Sequence, residues 1–343
     1  MYSFKNDYAE GAHPNILQKL IDSNLEQQDG YGADAYATAA KTILQERMAN
    51  PKAKIFFVSG GTQTNLLVIA SLLRPHEAVI SAQTGHIYAN ETGAIEATGH
   101  KVIPVESTDG KVKAADIDAV LQAYTLRPHV VKPKMVYISN STEIGSIYSK
   151  SELEALYQTC QAAGLYLFMD GARLGHALTA ASNDLSLADV ARLTDVFYIG
   201  GTKNGALLGE AVVFNHAGVG NEFDYILKQR GALLAKGRIL SIQFLELFRE
   251  NLYFDLAKHA NQMAMRIAEA MLAEGYTFLT PPVSNQLFPI LPKKHIAQLL
   301  EKFAFYEWKA IDEQHSAIRL ITSWATQESL VDTFIDVLKG LKD

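Results

Sequence analysis

Two apolar runs end in residues that together can do chemistry. LYLFMD (165–170) ends in Asp170 and continues as Gly171-Ala172-Arg173, and VFYIG (196–200) runs on into Gly201-Thr202-Lys203. In parallel α/β sheets, ligands sit beyond the carboxyl ends of the strands. Asp170 and Lys203 are therefore expected at one rim, about thirty residues apart, which leaves room for one helical crossover. A lysine amine there can attack a carbonyl carbon and form an imine once it has lost its proton. A buried carboxylate can hold a proton on the nitrogen of an aromatic ring. Taken singly, Asp170 is a turn or cap residue and Lys203 an exposed loop lysine. Together, each at a strand tip beside glycines, they suit a cofactor that is both an aldehyde and a protonated ring.

Two further motifs fit that chemistry. Ser59-Gly60-Gly61-Thr62-Gln63-Thr64-Asn65 lies between a strand-like run and a helical one. Unpaired N–H groups at a helix start suit a phosphate, and glycine lets the backbone come close. The lysine and spacing of a Walker loop are missing, and no GxGxxG marks a nicotinamide site. His86, in Thr84-Gly85-His86-Ile87-Tyr88, can stack on a planar ring and relay protons. The ten histidines are scattered, with no His-x-His, HExxH or Cys/His cluster, so no metal site is expected. These features point to pyridoxal 5′-phosphate (PLP), in which a protonated ring serves as electron sink.

The elements that must position these residues follow from the hydrophobic pattern. Short apolar runs at 55–59, 78–81, 101–105, 135–139, 165–170, 196–199 and 210–214 alternate with helical spacing such as 66–73 and 152–163. Strands separated by helices imply an α/β layer with a mostly parallel sheet. Helical spacing dominates 221–272, and a strand is then expected over 286–291, a helix over 296–303, a strand over 317–321 and a helix over 328–341. This divides the chain into a large domain, 1–250, whose residues 1–15 form an N-terminal arm, and a small α+β domain, 251–343. The chain has 343 residues, 48% of them hydrophobic, which allows a sizeable core. Its net charge of −6 gives no reason to expect nucleic acid or an anionic membrane as partner. The single cysteine, Cys160, cannot form an intrachain disulfide and fits a reducing cytoplasm. No signal peptide and no apolar run of about 20 residues is present, so no membrane span is expected.

The ordered set Asp29-Gly30-Tyr31-Gly32, GGTQTN, His86, Asp170-Gly171-Ala172-Arg173, Lys203 after a threonine, and Arg319 in IRLIT resembles the threonine aldolase and β-eliminating lyase family over nearly the whole chain. The resemblance implies a type I PLP-dependent transferase fold with a seven-stranded sheet. It implies that Gly60, Gly61, Thr62 and Thr202 hold the phosphate, with Arg238 as the basic residue reaching it. It also implies that His86 stacks on the ring, that Asp170 binds the ring nitrogen, and that Arg173 and Arg319 hold the substrate α-carboxylate. Arginine suits that task because its planar fork binds a carboxylate bidentately. Asn6 and Asn140 are further candidates for substrate contact. Tyr31 would reach the site of a neighbouring copy in a homodimer or homotetramer.

The chain departs from the family where Glu-Asn-Thr-His is usual: it carries Ser139-Asn140-Ser141-Thr142-Glu143, with no histidine, and Asn6-Asp7 replaces Ser-Asp. The expected reaction is retro-aldol cleavage of a β-hydroxy-α-amino acid, with His86, Glu143 or a water as base. His13 is a second proton-transfer candidate or an ordinary loop histidine. β-Elimination, transamination and ligand binding without turnover stay open.

Overall fold

The computed structural model describes residues 1–341. Its main sheet holds seven strands: β1 Lys54–Val58, β2 Glu77–Ala82, β3 Lys101–Val105, β4 Lys132–Ser139, β5 Tyr166–Asp170, β6 Val196–Gly200 and β7 Glu210–Phe214. Their spatial order is β1-β7-β6-β5-β4-β2-β3. All neighbours run parallel except β7, which is antiparallel to β1 and β6. Successive strand residues point to opposite faces, and both faces are covered. Leu167, Met169, Phe197 and Ile199 enter one core, while Phe168, Val196, Tyr198 and Val212 enter the other. Burial on two sides is why these strands read as unbroken apolar runs.

Local signals also set the helix ends. Helix Lys150–Ala163 opens with a capping box between Ser149 and Glu152 and stops at Gly164, whose φ of 64° is left-handed. The helical region after residue 221 resolves into Phe223–Gln229, Arg238–Arg249 and Leu252–Ala273, with a break at Glu250. Beyond it, a second sheet has the order Gln286–Leu287, His315–Ile321, Pro289–Pro292, Thr277–Phe278, and Tyr306–Ala310 also pairs with His315–Ile321. Its core includes Ile267, Met271, Leu291, Ile318 and Phe334. The run 286–291, read as one strand, is two strands separated at Phe288. The helix expected over 296–303 spans Lys293–Leu300. Strand Tyr306–Ala310 was not expected from the sequence; its residues alternate between apolar and charged, but all five are exposed and it is not one of the unbroken apolar runs that marked the main sheet.

The amino-terminal arm ties the two lobes together. Tyr2–Ser3 pairs in parallel with Phe303–Ala304, and Phe4 is buried in the core of the smaller lobe. Helix Pro14–Asp22 buries Ile16 in the core of the main sheet. The chain between them therefore crosses from one lobe to the other and carries Asp7 into the cleft. His13 caps this helix, its Nδ1 accepting from the Asn15 N–H at 3.3 Å.

Candidate active site

The carboxyl edge of the main sheet opens onto a cavity of about 290 Å³ lined by Gly60, Gly61, Thr62, His86, Glu143, Asp170, Arg173, Thr202, Lys203 and Glu210, among others. Strands β4, β5 and β6 deliver their C-terminal ends here. β7 runs the other way, so its first residue, Glu210, reaches the same edge opposite Val58 and Gly200. Two glycines bring the tips of β5 and β6 together. A Cβ on Gly171 would lie 1.8 Å from the Tyr198 carbonyl oxygen, and one on Gly200 2.4 Å from that of Ala172. The Gly200 N–H instead donates to the Gly171 carbonyl at 2.9 Å. This close approach places Asp170 and Lys203 in one cavity.

Asp170 is buried, and each of its oxygens is hydrogen-bonded. Oδ2 accepts from the Tyr137 hydroxyl at 2.5 Å and the Asn65 amide at 3.2 Å, while Oδ1 accepts from the Tyr198 hydroxyl and the Ala172 N–H. Burial disfavours its charge, but nearby His86 and these donors outweigh that and hold its carboxyl below the usual range. Asn65 also donates to Glu91 at 2.7 Å, and Glu91 receives His86 Nδ1 at 2.9 Å. Burial opposes the imidazolium, yet the Glu91 hydrogen bond and the charges of Asp170 and Glu91 raise the His86 pKa.

Lys203 makes no hydrogen bond or ion pair among the described residues. Burial, then the charge of Arg173, lowers its pKa, which favours the neutral nucleophilic amine. The loop that carries it is anchored by Glu210, whose two oxygens accept from the Thr202 hydroxyl at 2.9 Å and the Gly201 N–H at 3.1 Å. Burial raises the Glu210 carboxyl to about 8. The Thr202 hydroxyl is therefore engaged within the protein, and it also accepts from the Gly209 N–H at 2.9 Å.

Helix Gly61–Leu72 begins at Gly60 with no capping side chain, so its first-turn N–H groups lack a side-chain acceptor. A Cβ on Gly60 would meet nothing within 4 Å. This open space beside uncapped donors fits a phosphate. With a free amine and a hydrogen-bonded carboxylate in the same cavity, the residues present fit PLP.

Arg173 forms a bidentate pair with Asp7, at 2.7 Å from Nε and 3.0 Å from Nη2, and Asn285 donates to the same carboxylate at 2.9 Å. Burial opposes ionisation of Asp7, but Arg173 and then Lys203 hold its carboxyl well below the usual range. Arg319 donates to the Lys5 carbonyl at 3.2 Å and lies 5.0 Å from the Trp308 ring, and its buried Nε has no partner. Burial and the charge of Arg173 lower the Arg319 pKa. Two neighbouring guanidiniums with an unused buried donor suit a carboxylate ligand.

Asp7 is fully buried, so Asp7→Asn is expected to lower stability by about 3–5 kcal/mol by leaving Arg173 without its counter-charge. Urea unfolding of the two proteins measures this. Because the native pKa of Asp7 is depressed, the difference is full above about pH 4 and shrinks as pH falls further. A gap that persists at low pH would argue against the ion pair.

Five sequence candidates do not line this cavity in the single chain, Arg319 among them. The Asn140 side chain is buried and accepts from the Tyr148 N–H at 3.3 Å. Asn6 accepts from the Tyr8 N–H at 3.1 Å, shaping the arm so that Tyr8 lines the cavity. Tyr31 is 53% exposed beneath the Lys228 ammonium, and Arg238 binds the carbonyls of Asn24 and Glu26. Arg238 lines a separate depression with Asp29 and Lys236. Asp7, Asn65, Glu91, Tyr137, Tyr198 and Glu210 were not singled out from the sequence. The only signals for them were polar groups inside apolar strands or short motifs, such as the glutamate opening EAVVF.

The chain is 30% identical over 328 residues to the low specificity L-threonine aldolase of Pseudomonas aeruginosa, covering 94% of this chain and 93% of that protein. A solved threonine aldolase of Leishmania major superposes with a TM-score of 0.98 at 47% identity, covering 99% of both chains. The aspartate aminotransferase of Thermus thermophilus shares the fold, with a TM-score of 0.72 at 15% identity over 99% of this chain and 92% of that one. The sequence pattern of the beta-eliminating lyases matches residues 11–292, and the chain belongs to the beta-eliminating lyase family.

Proposed function

We propose that this protein cleaves a β-hydroxy-α-amino acid of the threonine or allo-threonine type into glycine and an aldehyde, using PLP. The observation that carries this reading is the cavity shared by Lys203, Asp170 and Arg173 at an uncapped helix start, with Arg319 near enough to Arg173 for their charges to interact. Similarity to threonine aldolases over most of the chain supports the choice of reaction. PLP, when bound, supplies an aldehyde for covalent capture and a ring that accepts the electrons of a broken bond at Cα.

The residues of the chain do the rest. Lys203, whose pKa burial and Arg173 lower, offers its amine as the attachment point. Asp170, kept ionised by its donors, holds a proton on the ring nitrogen. The N–H groups after Gly60, with Thr62, hold the phosphate, and His86 covers the ring face. Arg173 and Arg319 take the α-carboxylate and orient the amino acid, converting binding energy into alignment. Tyr31 and Arg238 lie outside this cavity, and we assign them to the site of a second copy in a homodimer or homotetramer. No helix among the described residues is long and apolar enough to cross a membrane, and a cytoplasmic location suits the lone buried Cys160.

Product analysis of the PLP-loaded protein tests the reaction. Glycine with an aldehyde from L-threonine or L-allo-threonine is expected. Pyruvate with ammonia from serine, or an amino group passed to a keto acid, would instead assign β-elimination or transamination.

A further inference from the structure

We propose that Glu143 is the catalytic base that takes the β-hydroxyl proton, through its Oε2 atom. This rests on the aldol reading above. Three carboxylates, those of Glu143, Asp170 and Glu210, line the cavity. Asp170 and Glu210 have both oxygens engaged, by Tyr137, Asn65, Tyr198 and Ala172 in the first case and by Thr202 and Gly201 in the second. Glu143 differs. Its Oε1 accepts from the His86 N–H at 2.9 Å and from the Ser139 hydroxyl at 2.7 Å, and its Oε2 bonds no other residue among those described. One oxygen is thus anchored by two donors and the other is left free, in a residue that lines the cavity. That is how a carboxylate is held for proton transfer to a ligand.

The other basic groups have tasks already. His86 is bound through Nδ1 to Glu91 and is driven toward its charged form. Lys203 is the attachment point. The charged and titratable groups facing Glu143 are His86, Asp170, Arg173, Tyr137 and Tyr148. Burial raises the Glu143 pKa, the Ser139 hydrogen bond opposes the rise, and the charge of Asp170 adds to it. A carboxylate of raised pKa is a stronger base.

The step balances without a co-reactant. Glu143 accepts the hydroxyl proton, the O–H electron pair becomes the second carbon–oxygen bond of the aldehyde, and the Cα–Cβ pair stays with the glycine fragment. One proton returns to Cα and Glu143 returns to carboxylate, so one amino acid yields glycine and an aldehyde.

The test compares wild-type and Glu143→Gln holoenzymes. The amide oxygen of glutamine can still accept from the His86 N–H and Ser139, so the loop is kept and only the basicity is lost. With L-threonine and L-allo-threonine, kcat/KM is expected to fall by about 10²- to 10⁴-fold. The acid limb of its pH profile, placed in the wild type above the ordinary carboxylate range, should disappear. PLP affinity, read by absorbance titration, and exchange of the glycine α-proton in deuterated water should stay near wild type, since neither involves a β-hydroxyl.

Cleavage within about threefold of wild type overturns the assignment. So does a parallel loss of PLP affinity and glycine exchange, which would make Glu143 a structural support. A wild-type enzyme that exchanges the glycine proton but releases no aldehyde overturns the aldol reading itself, and the role of Glu143 with it.

Discussion

Lys203→Ala is expected to leave a folded protein that binds PLP without a covalent link, loses the visible absorption of that link, and cleaves substrate at least about 10⁴-fold more slowly. The reason is chemical and local. Lys203 is the one lysine that lines the cavity, and its amine carries no competing hydrogen bond or ion pair among the described residues. Burial and the neighbouring Arg173 push it toward the neutral form that can attack an aldehyde. No other side chain in the cavity offers a replacement, because Arg173 is guanidinium and His86 is held by Glu91. Fold integrity should survive, since the loop is fixed by Thr202, Gly201 and Glu210 rather than by the lysine. Absorbance and single-turnover assays on the purified variant measure both losses. An unchanged spectrum after PLP addition would remove Lys203 from this role.

The second large effect is expected for Asp170→Asn. Four donors converge on the Asp170 carboxylate: the hydroxyls of Tyr137 and Tyr198, the Asn65 amide and the Ala172 N–H. An asparagine NH₂ cannot accept from any of them, and it brings no charge to hold a proton on the cofactor ring. By analogy with the loss of one preorganised electrostatic group, kcat/KM should fall by about 10²- to 10³-fold. Because the native pKa of Asp170 is lowered, the wild-type residue stays ionised throughout the neutral range, and any stability gained from that ionisation fades only as pH falls through the acid region. Titration of Asp170 itself should therefore add no pH dependence to the wild-type activity across neutral pH. A variant with full activity would contradict the role given to Asp170.

The main sheet was legible because its strands are buried on both faces. Lys101–Val105 and Glu210–Phe214 have the ends that the apolar runs suggested, and the other five strands shift by a few residues at most. The smaller lobe was less legible. Its exposed strand Tyr306–Ala310 is no buried apolar run, only a five-residue alternation of apolar and charged side chains, and it is held by pairing with His315–Ile321.

Sequence alone picked out the residues proposed to touch a cofactor. Asp170, Lys203, His86 and the Gly60-Gly61-Thr62 turn each lie at a strand end or helix start, and element boundaries are local properties written in neighbouring residues. Tertiary structure decided which groups tune them. Tyr137, Tyr198, Asn65 and Glu91 gather around Asp170 and His86 from separate strands and loops. Asp7 reaches Arg173 only because the arm crosses between the lobes. Hydrogen bonds and charge interactions act through space, so partners far apart in the chain leave no periodic trace in the sequence. The free oxygen of Glu143 is of this second kind, visible only once the donors to its other oxygen are in place.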